Sequence, residues 1–169
     1  MNLSIYTASV PVFRQILGAL SGVLTKAEAH AESKKIAPDA LLQARLYPDM
    51  FALTRQVQVA ADFAKSISAR LADVPVPGFE DTERTFAELQ ARIAKTLAFI
   101  DTLPASAFDA AHERKVVIQP GTPRERSLDA RTYLMSYGLP NFFFHVTTAY
   151  AILRHNGVEV GKRDYIGTF

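Results

Sequence analysis

The ionisable side chain best placed for chemistry is His145, because it stands alone inside an apolar run, LPNFFFHVTTAYAILRHNG, from Leu139 to Gly157. Asn141 and Thr148 lie about one helical turn to either side of it on the same face. Gln56 projects from a second helix, and Asp49 lies seven residues before it. Polar groups converging inside an apolar bundle are how such a fold makes a small-molecule pocket. Each has a structural alternative: a hydrogen-bonded core histidine for His145, a helix N-cap for Asn141 and for Asp49, and for Thr148 a bond back to the carbonyl one turn earlier. The other histidines do not join the set. His30 and His112 fall on segments that read as exposed, and His155 lies about 80° round the helix from His145 and roughly 15 Å along it, too far to share a metal. His155 reads as a cation at a helix C-terminus.

Several chemistries are excluded outright. With no cysteine there is no disulfide, thiolate metal site or cysteine nucleophile. No glycine-rich phosphate loop, H-E-x-x-H or G-x-S-x-G occurs, and the Glu-x-x-His pairs of di-iron bundles are missing. A net charge of +2 is too small to argue for nucleic acid or an anionic membrane surface. No basic n-region precedes the uncharged stretch Met1–Phe13, and no window of apolar residues is long enough to span a bilayer. The expectation is a cytoplasmic protein with no nucleic-acid or membrane partner, in one domain over residues 1–169.

The elements that must position these groups are helices. Phe13, Ile16, Leu17, Leu20, Leu24 and Ala27 recur at spacings of three and four, which predicts a first helix over Pro11–Ala31. Gly18 and Gly22 within it predict close approach by a neighbouring helix. Met50, Leu53, Val57, Ala60, Ala64, Ile67 and Leu71 form the seam of a second helix, Asp49–Leu71, with Asp49, Gln56 and Phe63 sharing a flanking face. After a turn-rich linker, Asp73–Glu80, a third helix is predicted from Asp81 or Thr82 until Pro104 stops it. Val116–Ile118 and the turn Gln119–Thr122 predict a small hairpin, and Ser127 is expected to cap a short helix through Tyr137. Gly138 then breaks the chain before the last helix, which Pro140 opens and Asn156-Gly157 closes. The fold class is all-α: an antiparallel four-helix bundle with a short hairpin-like insertion between helices three and four. In the tail, Tyr165, Ile166 and Phe169 are apolar, and predict either docking on the bundle or cover for a partner.

The stretches Pro48-Asp49-Met50, Arg55–Gln58, Leu139-Pro140-Asn141 and Phe144–Tyr165 (FHVTTAYAILRHNGVEVGKRDY) together resemble the DinB/YfiT-like superfamily, and within it a bacterial branch of unknown function. The resemblance spans nearly the whole chain. It implies a four-helix bundle, often a homodimer, holding a divalent metal through three histidines. His145 matches one of those ligands; Gln56 and Asn141 stand at the other two positions, so that two of three are amides. A small-molecule ligand bound around His145 is the leading expectation. A metal-dependent transferase or isomerase acting on a thiol, and a dimeric structural protein without catalysis, are the alternatives.

Overall fold

The computed structural model describes residues 4–169. Helix α1 runs Val10–Lys34 and ends where Lys35 turns left-handed at φ 53°. Its stripe is buried as the periodicity demands, with Phe13, Leu17, Leu24 and Ala27 fully enclosed. A short helix, α2 (Pro38–Leu42), follows and buries Leu41 and Leu42 against the bundle. Gly18 and Gly22 do not meet a close neighbour: a Cβ on either would find open space.

Helix α3 spans Leu53–Leu71, beginning four residues after Asp49. Asp49 is therefore not its N-cap. The chain turns at Tyr47–Met50, where Met50 N–H donates to the Tyr47 carbonyl, and Ala52 takes the cap position in extended backbone without a side-chain cap. Helix α4 (Phe86–Asp101) likewise starts later than Asp81. Its cap is Thr85, whose hydroxyl accepts from the Glu88 N–H while the Glu88 carboxylate accepts from the Thr85 N–H, a reciprocal capping box.

The insertion contains two 3₁₀ turns and then the expected hairpin. Strand β1 (Lys115–Ile118) pairs antiparallel with β2 (Arg126–Asp129), Lys115 opposite Asp129 and Ile118 opposite Arg126. Ser127 lies inside β2, so the cap of the next helix is Asp129, which accepts from the Thr132 N–H. From there the helix does not break at Gly138. Helix α5 (Ala130–Thr132) passes through a π-helical segment, Tyr133–Gly138, directly into α6 (Leu139–His155). Pro140 explains the wide turn: it has no N–H for the Ser136 carbonyl, and its ring needs room there. Gly138 also lies tight against α3: a Cβ there would sit 2.8 Å from Ile67 Cδ1, so that side chain would have to shift.

The four long helices form a ring in which α1 and α3 each neighbour both α4 and α6. Arg14 meets Asp101 and Ser21 meets Gln90, so α1 and α4 are antiparallel; Gln56 meets His145 and Ile67 meets Gly138, so α3 and α6 are too. The long connection after Leu71 returns along the bundle, which sets α4 parallel to α3. The last helix, α7 (Lys162–Ile166), docks on α1 through the Lys26–Asp164 ion pair at 2.6 Å and a Gln15 bond to the Ile166 carbonyl. Tyr165 packs edge-on against Tyr150, and of the three apolar tail residues Phe169 is the exposed one. No helix among the described residues is long and apolar enough to cross a membrane.

Candidate functional site

Gln56 from α3 and His145 from α6 meet across the antiparallel pair, with 2.7 Å between Gln56 Oε1 and His145 Nδ1. Gln56 is oriented by its own Nε2, which donates to the Phe51 carbonyl at 3.1 Å. The opposite amide orientation would set oxygen against oxygen. Because a carboxamide oxygen only accepts, Nδ1 must carry the proton. Burial, and after it the positive charge of Arg55, push the His145 pKa below its usual 6.5, so the ring is neutral near pH 7. Nε2 then keeps a free lone pair.

That lone pair has no partner among the described residues. Two enclosed side-chain atoms lack a hydrogen bond there, Ser68 Oγ and Arg92 Nε. The imidazole stacks near-parallel with Phe51 and with Phe63, with ring centroids at 6.4 and 5.8 Å and planes 19° apart in both cases. Phe144 meets it edge-on at 5.2 Å, and Tyr137 packs against Phe63. His145 is only 8% exposed, whereas Phe51 and Phe144 are 51% and 57% exposed. The site is thus a neutral hydrogen-bond acceptor set among aromatic rings.

The remaining expected residues separate. Thr148 is buried and donates to the Phe144 carbonyl at 2.7 Å, which is the bond back along its own helix. Asn141 is half-buried and donates from Nδ2 to the Tyr137 carbonyl at 2.7 Å, so it stitches the π segment rather than capping a helix. Its Oδ1 remains uncommitted. Asp49 is exposed and lines a depression of about 340 Å³ whose wall includes Phe51, Arg45, Arg55 and Arg84. Sequence reasoning missed Phe51, which lies in a loop, and Tyr137, which the π turn brings round; Phe63 shares a face with Gln56 at a spacing of seven, and that signal was present.

The donors do not fit the metal that the resemblance implies. Gln56 uses both amide atoms internally, leaving one imidazole nitrogen and the Asn141 carbonyl. No cluster of three His, Cys, Asp or Glu suited to a metal occurs among the described residues. Zn²⁺ and its neighbours favour imidazole, thiolate and carboxylate donors in sets of three or more.

A second polar cluster lies between α3 and α4. Arg92, 3% exposed, reaches Asp62 at 3.0 Å, Asp81 at 2.9 Å and Glu83 at 2.9 Å. Gln58 donates to Glu83, and Lys65 pairs with Asp62. The cluster fastens the returning linker to the bundle, and nearly all its polar atoms are mutually committed. Elsewhere a cavity of about 950 Å³ opens between the N-terminal turn and the insertion, at Tyr6, Phe108, His112 and Arg131.

Comparison with known proteins agrees with this architecture. The family described as "Domain of unknown function (DUF1993)" matches residues 5–166. A crystal structure of a DinB family member from Shewanella denitrificans is 42% identical, covers 97% of this chain and 92% of its own, and superposes with a TM-score of 0.89. No curated protein matches.

Proposed function

Because the chain belongs to the DUF1993 family of DinB-like helical bundles, we propose that it binds a small molecule over His145, and that this ligand donates a hydrogen bond to Nε2. The observation that supports this most is the Gln56–His145 bond at 2.7 Å. It holds the ring in one tautomer and leaves a basic nitrogen without a protein partner among aromatic rings. An apolar enclosure with one oriented polar group is the usual make-up of a ligand site. A planar ligand carrying a hydroxyl or N–H would stack against Phe51 or Phe144 while meeting the nitrogen. The same nitrogen is placed to act as a general base if the ligand's donor is also its reacting group. Cytoplasmic location and self-association belong to this reading. The latter rests on the resemblance and not on the tail, whose Tyr165 and Ile166 are used within the chain; sedimentation at micromolar concentration tests it, and a strict monomer would retire it.

Phenol is the simplest probe of the ligand site. Titrated into ¹⁵N-labelled protein, it should shift the amides of Phe51, Gln56 and His145, and the shifts should be lost in His145→Phe. Binding indifferent to that substitution would refute the proposal.

A further inference from the structure

We propose that the depression beside Phe51 is an anion subsite of the same ligand site, so that the molecule taken at His145 bears a carboxylate. This rests on the reading of His145 given above. Three guanidinium-bearing residues, Arg45, Arg55 and Arg84, line a concavity of about 340 Å³. Two carboxylates, Asp49 and Asp81, line it as well. Asp81 is already engaged by Arg55 and Arg92, the latter at 2.9 Å.

Arg45 and Arg84 form no ion pair among the described residues. They make only backbone contacts, to the Pro48 carbonyl at 3.4 Å and the Glu83 carbonyl at 3.0 Å. Across the lining, three positive and two negative groups leave one net positive charge, which suits a singly charged carboxylate better than a phosphate dianion. A guanidinium fork is the side chain that recognises a carboxylate geometrically.

Phe51 joins the two places. Its ring stacks on His145, Arg55 Cζ lies 5.8 Å from its centroid, and the same residue walls the depression. A ligand with a hydrogen-bond donor at one end and a carboxylate at the other spans both across this one exposed ring. An aromatic hydroxy acid has that form.

The experiment compares phenol with 3-(4-hydroxyphenyl)propionate by titration at low salt, on wild type and on the variants Arg45→Gln/Arg84→Gln, Asp49→Asn and His145→Phe. The acid should bind about tenfold or more tighter than phenol, the worth of a charge-assisted hydrogen bond. That advantage should vanish in the double arginine variant and shrink in high salt, with phenol binding unchanged. Asp49→Asn should strengthen the acid alone. Both arginines are exposed, so folding is not at stake. An acid no tighter than phenol, or an advantage that survives Arg45→Gln/Arg84→Gln, overturns the inference. Arginine-dependent acid binding that is indifferent to His145→Phe upholds the depression as an anion site and overturns the His145 reading instead.

Discussion

Helix α3 buries polar groups on two sides, and the two sides are finished differently. Toward α4, Asp62 and Lys65 join Arg92, Glu83 and Asp81 in a network where each charge has an opposite partner. Phe79 lies over it, with Lys65 Nζ and Lys95 Nζ 4.0 and 4.1 Å from the ring centroid. Toward α6, Gln56 orients a single neutral ring and stops there, leaving His145 Nε2 open. Charges spent on one another, with only the enclosed Arg92 Nε left over, do not offer a ligand an accessible partner. A group held by one bond and left with a basic lone pair does. Burial marks both sides alike; what tells scaffold from site is the residual hydrogen-bonding capacity.

Removing the hub of the closed side should have the largest effect. Arg92→Ala takes the only cation from Glu83 and one of two from Asp62 and from Asp81, and should cost about 3 kcal/mol. For a chain of this size that is a drop of roughly ten degrees in melting temperature. A melt within a degree or two of wild type would show that the network is not scaffold. The pH dependence supplies a second reading. Burial alone would raise the Glu83 pKa, but hydrogen bonds from Arg92, its own backbone and Gln58 outweigh it, and the pKa lies below the usual 4.5. A depressed carboxyl contributes stability above its unfolded value and loses it as the pH falls through the folded one. Acid unfolding measured downward from about pH 4.5 should therefore be steeper in wild type than in Arg92→Ala.

The open side should be far more forgiving. His145→Gln removes one buried bond and should cost about 1–2 kcal/mol, read by denaturant melts at pH 7. Its sign with pH differs from that of an ion-paired histidine. The folded pKa is lowered, so the unfolded state takes up the proton first. Wild type should lose stability as the pH falls below about 6.5, down to the folded value, and His145→Gln should not. If the variant loses stability equally over that window, the ring is not held neutral.

Two smaller changes separate true caps from apparent ones. Thr85→Ala breaks the capping box of α4 and should cost about 1 kcal/mol. Asp49→Ala, removing a residue that caps nothing, should stay within about 0.5 kcal/mol in the same melts.

The bundle was readable because apolar residues every three and four places leave little choice of period, and Gln56 was expected to project toward His145 from a second helix, on the face flanking its seam. The helix starts were less readable. Met50 keeps the apolar spacing of α3 although Pro48 and Asp49 turn the chain, so the pattern ran past the true end. Asp81 preceded the third apolar stripe and looked like the helix start, yet its carboxylate is drawn to Arg55 and Arg92. The passage through Gly138 depended on a π turn, which follows from the crowding of Pro140 against its own helix and not from propensity. The aromatic frame was half hidden: Phe63 shared a helix face with Gln56, whereas Phe51 reaches His145 only because the loop before α3 folds back.

Ligand binding at α6 turns on the state of one ring. Long-range ¹H–¹⁵N correlation spectra of histidine-labelled protein at pH 7 distinguish the two neutral tautomers and the imidazolium, with His145→Gln supplying the assignment. His145 should show a protonated Nδ1 and an unprotonated Nε2, and the Nε2 resonance should move when phenol is added. A proton on Nε2, or a ring charged at pH 7, would contradict the account.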